Sequence, residues 1–272
     1  EIMPSLVGSE MCIRDRPEEF GGQDLGMLTK CLVIEQLKNS IVPFVLPPES
    51  PNLFMLKELC KGDQVDRYLL PYSRGEKKSC LALSEPGAGS DAAAIKTRAE
   101  RKNDKWVLNG TKLWISGARR ADFMIVMAVT DATAEKRSKF TAFLVDKGTP
   151  GVTIPTSFPM IGEYHPYEVV FDNVELDDGQ VLGEVGAGFA PLSKRLGVRR
   201  LEIASRCLGL ATRCLNMMIE QANTRQTFGA PLSDRQAVQW WISDSYQEIE
   251  MVRLMVYQMA WKMDAGKDSR LD

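Results

Sequence analysis

From Met27 to about Asn39 the apolar residues Leu28, Leu32, Val33 and Leu37 fall on one helical face, with Lys30, Glu35 and Lys38 off it. That spacing predicts an amphipathic helix. Pro43, Pro47, Pro48 and Pro51 interrupt the pattern, after which Asn52 to Cys60 can form a second helix and Gly62 to Leu70 a short third. Pro71 and Gly75 then punctuate a link, and a helical first domain ends near Lys77.

Between residues 79 and 182 the hydrophobic period changes to that of strands. Runs at Lys96 to Arg101, Trp106 to Leu108, Lys112 to Ile115, Phe123 to Val129, Phe140 to Val145 and Glu168 to Val174 are rich in β-branched and aromatic residues. Asn103-Asp104 and Asn109-Gly110 offer turn chemistry between neighbouring runs, so a small antiparallel β domain is predicted, with the polar stretch Thr130 to Lys139 as a solvated loop. After Asp177-Asp178-Gly179 the pattern is helical again. One long helix is expected from near Gly188-Phe189-Ala190-Pro191 to Thr224, where Gly229 and Pro231 break it. Ser233-Asp234-Arg235-Gln236 has the form of a capping box that starts a second. Val238, Trp241, Ile242, Ser245, Ile249, Val252, Val256, Met259 and Met263 share one face of that helix, roughly 45 to 50 Å long, and such a stripe needs partners.

Composition narrows the class. With 272 residues, 44% of them hydrophobic, the chain can bury a sizeable core and more than one domain. A net charge of −2 argues against nucleic-acid binding driven by phosphate neutralisation. The six cysteines lack the paired spacing of a zinc site and read as buried reduced thiols, so no metal is expected. No apolar run is long enough to span a bilayer, which predicts a soluble protein.

The chemistry concentrates in Ala82 to Asp91, Ala-Leu-Ser-Glu-Pro-Gly-Ala-Gly-Ser-Asp. Pro86 fixes its own φ, Gly87 and Gly89 permit backbone angles closed to other residues, and the turn can present successive N–H groups to an oxyanion. Ser84 and Ser90 add hydroxyls, and Asp91 can close the turn. On spacing alone, an ordinary tight turn and an anion site fit equally. His165, the single histidine, reads as a structural loop residue for which sequence supplies no acidic or nucleophilic partner.

This run resembles the flavin-contacting signature of the acyl-CoA dehydrogenase family. Asn109-Gly110-Thr111-Lys112-Leu113-Trp114-Ile115-Ser116 resembles that family's second signature and Arg225-Gln226-Thr227-Phe228-Gly229 a third, in the family's order, over roughly residues 17 to 272. The resemblance implies an α+β fold of acyl-CoA dehydrogenase type. Its parts would be a partial helical N-terminal domain (17–78), an antiparallel β middle domain (79–182) and an incomplete C-terminal helical bundle (183–272). Residues 1–16 fit none of it: Ser5 to Arg16 resembles a translated sequencing adapter and is set aside as non-native, and the family's first helices are expected to be missing.

The resemblance also implies roles. FAD is the cofactor, with Leu83 and Ser84 facing the pyrimidine edge of the flavin, Ser90 the pyrophosphate region, Trp114 one wall of the ring and Ser116 the neighbourhood of N5. The family uses threonine at the positions of Ser84 and Ser116 at least as readily. Read from the residues alone, Trp114 is equally a core aromatic on a strand, and Ser84 and Ser116 turn or edge hydroxyls. Arg225 would reach the flavin pyrophosphate of a neighbouring subunit, with Phe228 packing nearby and Gln236 lining the same site, so a homodimer or homotetramer is implied; the plainer reading of Arg225 is a surface residue at a helix end. Ser90 and Arg200 are candidate contacts for an acyl-CoA substrate.

No catalytic base is assigned. Isovaleryl-type and long-chain-type members carry a glutamate where Arg199 stands here, and Glu202 lies at a different angle on the same helix. Most other members place the base on their last helices, so it is expected beyond Asp272. The implied activity is FAD-dependent α,β-dehydrogenation of an acyl-CoA thioester to a 2-enoyl-CoA, with electrons passed to an electron-transfer flavoprotein. It would run in a bacterial cytoplasm, a mitochondrial matrix or a peroxisome. The alternatives are an acyl-CoA oxidase or other flavoenzyme on this scaffold, and a non-catalytic flavin- or CoA-binding subunit.

Overall fold

The computed structural model describes residue 18 and residues 25–40, 51–135, 137–161 and 165–267. The set-aside segment 1–16 and the prolines Pro43, Pro47 and Pro48 lie outside the described residues. In chain order come helices α1 (Met27–Asn39) and α2 (Asn52–Leu59), then a π-helical turn at Val65–Leu69 leading into α3 (Leu70–Ser73). Strands follow: β1 (Ser79–Ala82), β2 (Arg98–Lys102), β3 (Lys105–Ser116), β4 (Phe123–Val129), β5 (Phe140–Asp146), β6 (Val152–Thr153), β7 (Pro166–Leu176) and β8 (Val181–Leu182). The rest is α4 (Phe189–Thr224), a ribbon of β9 (Gln226–Thr227) and β10 (Ala230–Pro231), and α5 (Gln236–Asp264). Residues within Pro47–Leu196 form one compact unit, and those within Ile13–Leu46 and Gly197–Asp272 a second. The first helices expected as one domain therefore divide between the two.

In the first unit the sheet runs β6-β7-β3-β2-β4-β5-β8, with β1 added to β4. It is antiparallel, as the pattern predicts, except that β1 runs parallel to β4 and β2 meets β4 parallel at Arg98↔Val129. All of β4 and β5 but the last residue of each is buried, as their unbroken apolar runs require of strands covered on both faces. One face packs Met124, Val126, Phe143 and Val145 with Leu108, Phe171 and Val174. On the other, Phe123 lies edge-on to Tyr68 at 4.9 Å and to Tyr72 at 6.1 Å, so the π-helical turn and α3 cover the sheet.

One turn forms as predicted: Lys102 pairs with Lys105, and Asn103 takes the left-handed conformation at φ 53°. The other does not. Trp106 to Leu108 and Lys112 to Ile115 belong to a single strand, and Asn109-Gly110 makes a register shift inside it, between Leu108↔Val174 and Gly110↔Phe171. Glycine is required there, because φ is +153° and a Cβ would lie 2.4 Å from Thr97 Oγ1 and 2.7 Å from Thr97 Cα. Asn109 Oδ1 accepts from the Asn173 N–H at 2.8 Å and fixes the irregularity.

In the second unit α1 turns a different face inward from the one expected. Met27, Lys30, Cys31, Ile34 and Glu35 are buried, and Leu32 points out. Ion pairing decides the matter: Lys30 meets Glu202 at 2.6 Å, while Glu35 accepts from Arg253 at 2.9 Å and from the Tyr257 hydroxyl at 2.6 Å. A Cβ on Gly209 would sit 2.2 Å from the Glu35 carbonyl oxygen, so glycine lets α4 approach α1. Asp264, at the end of α5, accepts from Met27 and Leu28 N–H at 2.6 and 2.9 Å and caps α1 across the chain. The capping box predicted for α5 is absent: its N-cap is Arg235 with no side-chain cap, and Gln239 Nε2 donates to the Ser233 carbonyl at 2.7 Å. Of the predicted stripe on α5, Val256 is buried while Trp241 and Val252 face outward.

Candidate functional site

The turn after β1 is closed by two backbone bonds, Glu85 N–H to the Ala88 carbonyl at 2.9 Å and Ala88 N–H to the Glu85 carbonyl at 3.1 Å. Asp91 accepts from Ala93 N–H at 3.1 Å, the local closure expected of it. The glycines act differently from expectation. Neither Gly87 nor Gly89 has a positive φ, and a Cβ on either would meet nothing within 4 Å. They contribute an exposed turn without side-chain bulk, since a turn closed on both sides by Glu85 and Ala88 needs no left-handed residue. Ser90 is exposed beside it, and Leu83 and Ser84 are half-buried.

The structure joins the first two signatures directly. Leu113 N–H donates to the Ser84 carbonyl at 2.8 Å, and the Lys112 ammonium donates to the Leu83 carbonyl at 3.1 Å and to Glu85 Oε1 at 2.8 Å. Glu85 also accepts from Lys96 N–H at 2.6 Å and Thr97 N–H at 3.0 Å. The Lys112 side chain is 0% exposed. Burial pulls its ammonium down to about 8 against the pull of Glu85. Burial pushes the Glu85 carboxyl up, but the Lys112 charge and the donors around it hold it below the usual range. Sequence reasoning assigned neither residue a role. The available signal was a lysine in a run otherwise fit for a core strand.

Two residues beyond Lys112, the register between β3 and β7 shifts again, between Lys112 and Ile115. The bulge puts Trp114 at φ 61°, a conformation a bulky residue adopts only under constraint. Ile115 is buried, and Trp114 and Ser116 on either side of it are exposed. Trp114 is 53% exposed with its ring tilted on Phe158 at 4.5 Å, so it is no core aromatic. Leu83, Ser84, Trp114 and Ser116 thus belong to two neighbouring backbones, with Ser90 further along the first.

In the second unit Arg225 and Phe228 lie at the base and tip of the ribbon between α4 and α5, and Gln236 is the first residue of α5. Phe228 and Gly229 form its tip at φ 54° and 78°, the paired left-handed angles of a tight hairpin turn. Phe228 is fully exposed, as are Arg225 and Gln236 to lesser degrees. Arg235, which sequence reasoning passed over, braces the tip: its guanidinium donates to the Thr227 carbonyl at 2.6 Å and lies 5.9 Å over the Phe228 ring. Arg200 is exposed on α4, whereas Arg199 donates to Glu202 at 3.1 Å. Glu202, bound to both Lys30 and Arg199 and 3% exposed, has no free acceptor role as a base. His165 is exposed. Among the described residues no cluster suits a metal ion and no helix is long and apolar enough to cross a membrane.

The donor set fits FAD. A half-exposed indole, hydroxyls on both neighbouring backbones and an open turn suit a flat heteroaromatic with a polar edge. Residues 80–174 match the family model for acyl-CoA dehydrogenase, middle domain, and residues 186–272 that for acyl-CoA dehydrogenase, C-terminal domain. Over 262 residues the chain is 48% identical to (R)-benzylsuccinyl-CoA dehydrogenase of Thauera aromatica, covering 94% of this chain and 64% of that protein. The chain therefore spans just under two thirds of that relative's length. Butyryl-CoA dehydrogenase from Megasphaera elsdenii superposes with a TM-score of 0.84 at 28% identity, over 95% of this chain and 70% of that one. PigA, solved as an FAD complex, superposes at 0.88 with 28% identity, over 95% and 69%. Two adjacent family domains, the curated relative and the shared fold agree that this chain belongs to the acyl-CoA dehydrogenase family.

Proposed function

We propose that the complete protein is an FAD-dependent dehydrogenase that converts an acyl-CoA thioester to its 2-enoyl-CoA and passes the electrons to an electron-transfer flavoprotein. The observation that carries this reading is Trp114, held exposed at a left-handed angle on a bulge whose neighbour Leu113 is bonded to Ser84. FAD, when bound, supplies the hydride acceptor that no side chain offers. Trp114 would cover one face of the flavin ring, the Ser84 and Ser116 hydroxyls would bond its polar edge, and Leu83 would flank them. Ser90 would hold phosphate near the open glycine turn, with Arg200 meeting the coenzyme A end of the substrate. Arg225 and the exposed Phe228 would reach the flavin of a neighbouring copy, with Gln236 beside them, in a homodimer or homotetramer. The proton on the α carbon is assigned to none of the described carboxylates.

The 48% identity to (R)-benzylsuccinyl-CoA dehydrogenase supports a finer reading, in which the acyl group is a substituted succinyl group. The test is anaerobic titration of the purified full-length protein with (R)-benzylsuccinyl-CoA, butyryl-CoA and isovaleryl-CoA, read by bleaching of the flavin band. Bleaching by the benzylsuccinyl ester at the lowest concentration is expected, followed by recovery with electron-transfer flavoprotein and slow recovery in air. A colourless protein that takes up no FAD would overturn the reading.

A further inference from the structure

The buried ion pair of Lys112 and Glu85 lies inside the two segments assigned to the flavin, and it touches backbone at both ends of the connection between β1 and β2. The ammonium holds the Leu83 carbonyl at 3.1 Å, where that connection begins. The carboxylate holds Lys96 and Thr97 N–H at 2.6 and 3.0 Å, where it ends. Between them, the two side chains are bonded to each other at 2.8 Å, with exposures of 0% and 6%. Burying such a pair does not make a protein more stable than apolar side chains of the same volume would. What it supplies is direction. Apolar contact is non-directional and tolerates a slip of two residues, which keeps every side chain on its own face, whereas each of these four bonds is satisfied in one register only.

Resting on the flavin reading above, we propose that Lys112 and Glu85 are positioning residues that lock the connection Leu83 to Thr97 onto β3, so that Ser84 and the Trp114 bulge are presented together to the cofactor. The bond from Leu113 N–H to the Ser84 carbonyl at 2.8 Å is the contact this lock preserves. Neither side chain touches the cofactor in this scheme. Their effect passes through the backbone.

The test is the double variant Glu85→Gln with Lys112→Met, which removes both charges together and leaves no lone buried ion. Its amide exchange should accelerate by about tenfold or more at Leu113 and Thr97 while β4 and β5 amides stay protected, and its Kd for FAD should rise by about tenfold or more at nearly unchanged thermal midpoint. A folded double variant with parental exchange at both amides and parental FAD affinity overturns the proposal. If the double variant does not fold, Glu85→Asp, which keeps the charge and shortens the reach, carries the same two readouts and the same overturning result. A parent that takes up no FAD would defeat the flavin reading alone, and the exchange at Leu113 and Thr97 would then decide the positioning role by itself.

Discussion

Replacing Trp114 separates a cofactor wall from a core aromatic. The side chain is 53% exposed, and its ring contact is Phe158 at 4.5 Å. Trp114→Gly forfeits that contact, worth about 0.5–1.5 kcal/mol, together with the half of the indole that is buried. It also releases a non-glycine residue from φ 61°, a strain of about 1–3 kcal/mol. Burial of that half is worth about 3 kcal/mol, so the release offsets the loss only in part and the urea midpoint should fall by the equivalent of about 1–3 kcal/mol. Cofactor affinity should fall as well. Stacking a flat ring on an aromatic side chain is worth about 1–3 kcal/mol, which raises the Kd for FAD by roughly 5- to 150-fold. Flavin fluorescence titration measures the affinity, and Trp114→Phe should recover most of it. A glycine variant that loses several kcal/mol of stability while binding FAD as before would show that Trp114 is a packing residue and refute the reasoning.

Gly110→Ala places a methyl 2.7 Å from Thr97 Cα at φ +153°, so β2 and β3 must part; a loss of about 2–4 kcal/mol in urea unfolding is expected, and a change below about 0.5 kcal/mol would contradict the geometry. The thiol of Cys80 is pushed up to about 12 by burial, while Cys207 and Cys214, expected to be buried, are exposed on the outer side of α4. Iodoacetamide at neutral pH should therefore label the latter two in the native protein and Cys80 only after denaturation, as mass mapping would reveal. Glu85 is held below its ordinary carboxyl value, so it contributes stability that is complete above about pH 4.5 and disappears as pH falls through its folded value. The thermal midpoint should drop on acidification below that pH, and the slope should be shallower when Glu85→Gln is combined with Lys112→Met.

The long periodic elements were legible in the sequence because each rests on local patterning: α1, α4, β4 and β5 stand where the spacing of apolar residues puts them. The family signatures were legible because they are short and contiguous. Which face of α1 turns inward was not legible, since Lys30 and Glu35 are buried by ion pairs whose partners Glu202 and Arg253 stand far along the chain. Asn109-Gly110 carries the composition of a turn, and only the approach of Thr97 makes it a bulge. Trp114 follows the same rule: its residue type fits a core strand, and the register between β3 and β7 sets it outward. By itself the sequence determined the family and the succession from helices to strands and back to helices, both of which depend on neighbours in the chain. Only the tertiary structure decided strand register, the buried lysine and its carboxylate, and the direction of the indole, because each is fixed by hydrogen bonds between residues that sequence spacing does not connect.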